Sequence, residues 1–125
     1  ADARAARECG ADGVIVSNHG GRQLDHAIAP MIVLPEILAA VPDLAVMLDG
    51  GIRRGTDVLK ALALGAHFVF LGRPFLYAAA IGGKAGVGHA IGLLKDEIQR
   101  DMALLGLRGL EELTSDMIRS RQPAS

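Results

Sequence analysis

Two side chains that could do acid–base and anion-binding chemistry follow an apolar run near the start of the chain. The run Gly13–Ser17 is followed by His19 and, three residues later, by Arg22. An imidazole titrates near neutral pH and can act as a general base, and a guanidinium can hold a carboxylate through two parallel hydrogen bonds. The spacing allows a catalytic site for a small carboxylate. It equally allows a loop histidine with local hydrogen bonds beside an Arg22–Asp25 ion pair, so both interpretations stay open.

Two later clusters, each after an apolar run, are rich in glycine and arginine. Glycine lets the backbone approach a ligand closely, and a helix expected to start at Thr56 would present unbonded N–H groups to an anion. Arg53 and Arg73 add charge-assisted donors for phosphate oxygens. Two such clusters favour a phosphate site over turn-forming glycines and surface arginines, while Asp49 could bond the ligand or cap its own turn. The clusters contain Asp49, Gly50, Gly51, Ile52 and Arg53, and then Gly72 and Arg73.

Three short apolar runs precede these clusters and predict strands. They are Gly13–Ser17, Leu44–Leu48 and His67–Leu71. Their continuous apolar character is typical of parallel strands that are buried on both faces. Because the carboxyl ends of parallel strands lie at one edge of a sheet, we expect the three polar clusters to converge on one site.

Helices are predicted around and between the strands, which gives an α/β chain with a parallel sheet. The predicted short helices are Asp2–Cys9, Pro35–Val41, in which Pro35 occupies the first turn, and Thr56–Leu64, with Thr56 as N-cap. A longer helix is expected to end at Gly106, because apolar residues before it are spaced by three and four. Those residues are Ile91, Leu94, Ile98 and Met102. The stretch 82–88 is expected to be a flexible loop, and the last seven residues, 119–125, a frayed tail.

Composition excludes several classes of protein. The 125 residues include one cysteine and carry a formal net charge of −1, so neither an internal disulfide nor electrostatic attraction to nucleic acid is expected. No His, Cys or carboxylate spacing suggests a metal site, and no apolar run is long enough to cross a membrane. A cytoplasmic location is the default expectation, with membrane association of a parent protein as the alternative. The start ADARAARECG, without Met, predicts that an earlier part of the domain is missing.

The three motifs together resemble the FMN-dependent α-hydroxy-acid dehydrogenases and oxidases, the family of lactate dehydrogenase, glycolate oxidase and mandelate dehydrogenase. The resemblance rests on SNHGGRQLD at 17–25, DGGIRRGTDVLKALALGA at 49–66 and LGRP at 71–74, in the family's order. It extends over nearly the whole chain, from Ala1 to about Arg119. It implies that residues 1–125 are the carboxyl-terminal part of a (β/α)8 TIM barrel and supply about three parallel strands.

The resemblance also implies roles for individual residues. His19 matches the catalytic base, which also contacts substrate, and Arg22 matches the arginine that binds the substrate carboxylate. Ser17 matches a serine that contacts the flavin. The turn Asp49, Gly50, Gly51, Ile52 and Arg53 matches the FMN-binding turn, and Gly72 and Arg73 match the last phosphate-binding pair.

The implied activity is oxidation of an L-2-hydroxy acid, with lactate as first choice, to the 2-oxo acid. The proton that His19 accepts could come from carbon or from oxygen, and the electron acceptor is left open. The fragment alone is expected to be inactive and to need the missing amino-terminal part of the barrel, in a homo-oligomer of the parent's tetramer type. The alternatives are another FMN- or phosphate-binding barrel enzyme, such as an isomerase or nucleotide dehydrogenase, and a non-catalytic interaction module.

Overall fold

The computed structural model describes residues 1–119, so all but the first residue of the predicted tail lie outside the described residues. Strands and helices alternate along the chain, as the sequence predicts. No helix within the described range has the length and apolar composition needed to cross a membrane. The elements are α1 (Asp2–Glu8), β1 (Gly13–Ser17), α2 (Pro30–Ala40), β2 (Ala45–Asp49), α3 (Gly55–Ala63), β3 (Phe68–Phe70) and α4 (Arg73–Leu105). Short 3-10 turns occur at His19–Gly21, Leu110–Glu112 and Ser115–Met117.

The three strands form one parallel sheet in the order β1-β2-β3. Gly13 pairs with Ala45, and Ser17 pairs with Asp49 at the other end of the same ladder. The predicted strand positions are confirmed to within one or two residues. As expected for parallel strands, all three carboxyl ends lie at one edge of the sheet.

The hydrophobic core lies between the sheet and the helices, on one face of the sheet only. Val16, Val46 and Leu48 point to this side and are buried. On the opposite face Ile15 is 52% exposed and Phe68 is 56% exposed. The prediction that the strands are buried on both faces is therefore wrong for the described chain. The strands alternate between a helix-covered face and an open apolar face.

Helices α2 and α3 each begin earlier than predicted. Helix α2 starts with Pro30 in its first turn, and Pro35 lies inside the helix, on its exposed side. Helix α3 has Arg54, rather than Thr56, as its N-cap residue. The carboxylate of Asp57 accepts hydrogen bonds from the backbone N–H groups of Arg53 and Arg54, both at 3.0 Å. Asp57, the third residue of α3, thus bonds the backbone N–H groups just before the helix, and a hydroxyl cap at Thr56 is not needed.

The predicted flexible loop at 82–88 is wrong, because these residues belong to α4. The helix is broken only at Gly82 and Gly83, whose backbone angles are not helical. A Cβ atom built on Gly86 would collide with the carbonyl of Ala78, so the two parts of α4 pack closely there. The break divides α4 into two helical arms, which contact each other at Gly86 and Ala78. Gly106, in the left-handed conformation, ends the second arm as predicted.

Candidate functional site

A cleft of about 460 Å³ lies at the carboxyl edge of the sheet. The three polar clusters predicted to converge do so here. Of the predicted site residues, all except Ser17 line this cleft. They are His19, Arg22, Asp49, Gly50, Gly51, Ile52, Arg53, Gly72 and Arg73.

The turn after β1 presents His19 to the cleft in an unusual backbone conformation. His19 has a φ of 54° and Gly20 a φ of 64°, both in the left-handed region. For a residue with a Cβ atom this region is sparsely populated, and such residues cluster at functional sites. Arg22 closes the same short turn, and its backbone N–H donates to the carbonyl of His19 at 3.3 Å. The turn therefore places both the imidazole of His19 and the guanidinium of Arg22 along the cleft.

Ser17 joins the first turn to the second. Its hydroxyl donates to Oδ2 of Asp49 at 2.8 Å and accepts from the backbone N–H of His19 at 3.0 Å. Asp49 thus bonds a side chain from the neighbouring strand, an outcome that neither sequence interpretation of Asp49 included. Ser17 does not line the cleft itself; it links Asp49 to the backbone of the turn that carries His19.

Arg73 joins the third turn to the first. Its Nη2 atom donates to the carbonyl oxygen of Gly20 at 2.9 Å. A Cβ atom on Gly20 would lie 2.8 Å from this nitrogen, so a larger residue there would force the Arg73 guanidinium to shift. Ion pairing of Arg22 with Asp25 is not found among the described residues, where Asp25 instead lies beside His26, 3.9 Å between Oδ2 and Nε2.

The predicted anion site at the start of α3 is not available to a ligand, because Glu97 of α4 occupies it. A carboxylate oxygen of Glu97 accepts from the backbone N–H of Gly55 at 2.8 Å, and the other lies 2.7 Å from Nη2 of Arg54. The Gly55 N–H, and then the Arg54 guanidinium, hold the pKa of Glu97 below its ordinary range. Arg54 is therefore engaged in a structural ion pair, away from the cleft.

The start of α4, unlike that of α3, faces the cleft. Gly72, Arg73 and Pro74 all line the cleft. Gly72, the N-cap residue, makes no side-chain cap, so the helix start offers backbone N–H groups and its positive dipole end to an anion. The sequence predicted free backbone N–H groups at the start of α3, whereas in the structure it is the start of α4 that borders the cleft.

The charges around the cleft favour an anionic ligand. Arg22, Arg53 and Arg73 line it together with a single carboxylate, Asp49. None of these three arginines forms an ion pair with a carboxylate within residues 1–119. Guanidinium groups held around a concave surface attract and orient phosphate and carboxylate groups.

Backbone shape at the cleft leaves room for a ligand. Gly51 has a φ of 84°, and a Cβ atom built there would meet no protein atom within 4 Å. Gly72 is equally open, with no protein atom within 4 Å of its built Cβ. Open glycine faces allow a ligand to lie directly against the main chain.

Several residues that sequence reasoning missed also shape this site. Phe70, Leu76 and Tyr77 line the cleft and give it an apolar wall. Tyr77 and Leu76 lie one turn into α4, in a segment of the sequence that was not assigned to any element. Asn18, between Ser17 and His19, is a further one. Its bond to the Gly20 N–H two residues on is a turn contact that asparagine favours, which is a signal the sequence does contain.

Comparison with known proteins identifies the family. The family model described as FMN-dependent dehydrogenase matches residues 1–120. The chain belongs to this family. The family is FMN-dependent and its similar members are oxidoreductases, which confirms the resemblance that the three motifs predicted.

Similar curated proteins are much longer than this chain. The chain is 55% identical over 118 residues to an L-lactate oxidase from Nostoc sp., covering 94% of this chain and 32% of that protein. It is 52% identical to an L-lactate dehydrogenase (cytochrome) from Wickerhamomyces anomalus, covering 96% of this chain and 22% of that protein. It is also 52% identical to glycolate oxidase 3 from Arabidopsis thaliana, covering 95% and 33%. The chain thus spans a third or less of these relatives.

Solved structures show the same fold. A flavocytochrome b2 variant with sulfite bound matches with a TM-score of 0.87 and 52% identity, over 92% of this chain and 31% of that one. A mandelate oxidase with benzoyl-formic acid matches with a TM-score of 0.83 and 50% identity, over 88% and 33%. The described sheet and its helices are therefore part of a (β/α)8 barrel, and the open apolar face of the sheet is the face that such a barrel turns inward.

Proposed function

We propose that the protein carrying this chain oxidises an L-2-hydroxy acid to the 2-oxo acid with FMN. The observation that carries the proposal is the single cleft in which His19 and Arg22 meet the Gly/Arg turns of the second and third motifs. An imidazole for a proton, a guanidinium for a carboxylate and an open Gly/Arg surface for a phosphate are the three functions this reaction requires. Other phosphate-binding barrel enzymes would use the last of these but have no need of the first two together.

Arg22 would hold the substrate carboxylate and thereby orient the hydroxyl-bearing carbon. A bidentate contact fixes direction as well as position. Oxidation removes two electrons and two protons from the substrate, and the imidazole of His19 would accept one of those protons. We leave open whether that proton comes from carbon or from oxygen.

The described residues fit FMN. Arg53 and Arg73, with the backbone at Gly72, would hold its phosphate. Gly51 leaves open space that the cofactor could fill. Asp49, Gly50 and Ile52 would form the rest of the binding turn. Ser17, which does not line the cleft, would support this turn through its hydrogen bond to Asp49. When bound, FMN supplies the redox chemistry by accepting the electron pair.

Lactate is our first choice of substrate. The support is that two similar proteins are an L-lactate oxidase and an L-lactate dehydrogenase (cytochrome). Arg22 recognises only the carboxylate that all 2-hydroxy acids share, so glycolate and mandelate are the alternatives to compare.

We further propose that residues 1–125 are the carboxyl-terminal part of the catalytic barrel and act together with an amino-terminal part. The open apolar sheet face, with Ile15 and Phe68, supports this proposal, because exposed apolar surface of this kind is normally covered. A homo-oligomer and a cytoplasmic location stay predictions.

The decisive experiment replaces His19 with glutamine in the full-length protein. We expect His19→Gln to keep FMN and to lose about 10²–10⁴-fold in turnover through lost proton transfer. His26→Gln is the matched control, because His26 also has a left-handed backbone and lies in the same loop but outside the cleft. Anaerobic flavin bleaching by L-lactate, glycolate and mandelate is the measurement. A colourless full-length wild-type protein, or a His19→Gln variant bleached at the wild-type rate, would refute the proposal.

A further inference from the structure

The side chain of Asn18 holds the turn that carries His19, and we propose that Asn18 is a positioning residue for this histidine. The inference rests on the function proposed above. His19 and Gly20 are consecutive left-handed residues, with φ values of 54° and 64°. For His19 this backbone is intrinsically unfavourable, so surrounding bonds have to maintain it.

Asn18 contacts three separate segments. Its Oδ1 accepts from the backbone N–H of Gly20 at 3.0 Å, a bond that spans His19. Its Nδ2 donates to the carbonyl of Ile28, in the segment before α2, at 3.4 Å. A Cβ atom built on Gly50 would lie 2.7 Å from the Asn18 Oδ1, so the amide also fills the space beside that turn. One side chain thus fixes the His19 turn relative to two other parts of the site.

Asn18 acts on the reaction only through His19. It does not line the cleft, so it is not placed to touch a substrate or cofactor there. The other groups that hold the turn also act elsewhere in the site: Arg73 is a proposed phosphate contact, and Ser17 bonds Asp49 of the proposed FMN-binding turn. Replacing either of those would change two functions at once, whereas Asn18 separates positioning from binding.

The test compares Asn18→Ala with Asn18→Asp in the full-length, FMN-loaded protein. Aspartate keeps an oxygen acceptor for the Gly20 N–H, loses the long bond to Ile28 and adds a negative charge near that carbonyl, whereas alanine loses both bonds. We expect Asn18→Ala to lower kcat by roughly 10–100-fold, the scale of a misplacement of about 1 Å, at unchanged FMN content. Asn18→Asp should restore most of kcat. Amide hydrogen exchange over residues 17–22 should be faster in Asn18→Ala and close to wild type in Asn18→Asp.

Asp25→Ala is the matched control. The Oδ1 of Asp25 accepts from the backbone N–H of His26 at 3.1 Å, beside a second left-handed histidine, but outside the cleft. This variant should keep the wild-type kcat. If Asn18→Ala does not fold, Asn18→Ser, whose shorter side chain supports such turns more weakly, replaces it and should also lower kcat and speed exchange.

Three results would overturn the role of Asn18. The first is wild-type kcat together with wild-type hydrogen exchange in Asn18→Ala or Asn18→Ser. The second is a kcat in Asn18→Asp as low as that in Asn18→Ala. The third is a loss of kcat in Asp25→Ala as large as that in Asn18→Ala. A wild-type protein that oxidises no 2-hydroxy acid would instead overturn the proposed function. The exchange measurement separates the two failures, because it reports on the turn without any turnover.

Discussion

Replacing Gly55 with alanine should destabilise the protein, although alanine is the better helix former. Gly55 is the first residue of α3 and is buried against α4. A Cβ atom built there would lie 2.7 Å from both the Cβ of Glu97 and the backbone nitrogen of Ile98. Carbon atoms in good contact are about 3.5–4.0 Å apart, so both contacts are too short by about 1 Å.

Two opposing effects decide the sign. Alanine gains up to about 1 kcal/mol over glycine in a helix interior, and less at a helix start. Forcing a methyl group into a packed site costs about 1–3 kcal/mol, and here the cost lies at the high end because a backbone atom of α4 has to move. That movement also stretches the bond between the Gly55 N–H and Glu97, now 2.8 Å. We therefore expect a net loss of about 1–2 kcal/mol.

Urea unfolding of the full-length protein, followed by far-UV circular dichroism, measures this loss. With a slope of about 2 kcal/mol per molar urea, the midpoint should decrease by roughly 0.5–1 M. Gly88→Ala is the matched control, since Gly88 is exposed in the second arm of α4 and its built Cβ meets nothing within 4 Å. That variant should gain about 0.5–1 kcal/mol. If Gly55→Ala also raised the midpoint, the close packing of α3 against α4 would be wrong.

Two further predictions concern the substrate and the acid stability of the protein. Arg22→Lys should raise KM for the 2-hydroxy acid by roughly 10–100-fold at unchanged FMN content, because a charge-assisted bond of about 1.5–3 kcal/mol is lost. Steady-state kinetics measures KM, with Arg4→Lys in α1 as the control. An unchanged KM in Arg22→Lys would contradict the prediction. Because the pKa of Glu97 is lowered in the folded protein, its stabilising contribution is present above the unfolded pKa, about 4.3, and is lost as the pH falls through the folded pKa. The urea midpoint of Glu97→Gln should thus lie below that of wild type at neutral pH and approach it in acid. The control Glu36→Gln should have the wild-type midpoint at each pH. A difference between the midpoints of wild type and Glu97→Gln that stays constant with pH would refute the reasoning.

Sequence reasoning succeeded where local pattern determines structure. Short apolar runs located all three strands to within one or two residues. Because parallel strands place their carboxyl ends together, the polar residues after each run could be predicted to share a site before any distance was known. His19 and Arg73, 54 residues apart in sequence, do line the same cleft.

Sequence reasoning failed where a distant residue decides a local question. The start of α3 was predicted to offer N–H groups to an anion, but Glu97, 42 residues later in α4, accepts the N–H of Gly55. The glycines before Gly88 indicated a loop because glycine disfavours helices. Instead, Gly86 lies within a helix because its missing side chain lets the arms of α4 approach at Ala78. Asn18 bonds the nearby Gly20 N–H, but its contacts with Ile28 and Gly50 depend on residues farther along the chain.

The pairing of each strand with the next one along the chain has a consequence for folding kinetics. Gly13 pairs with Ala45 and Met47 with Phe68, so each ladder closes a loop of only about 20–30 residues. The entropy cost of closing a loop rises with its length, so pairing each strand with its nearest successor costs less than pairing it with a later strand. The turns bearing His19, Asp49 and Arg73 can therefore assemble in the order in which a ribosome delivers them.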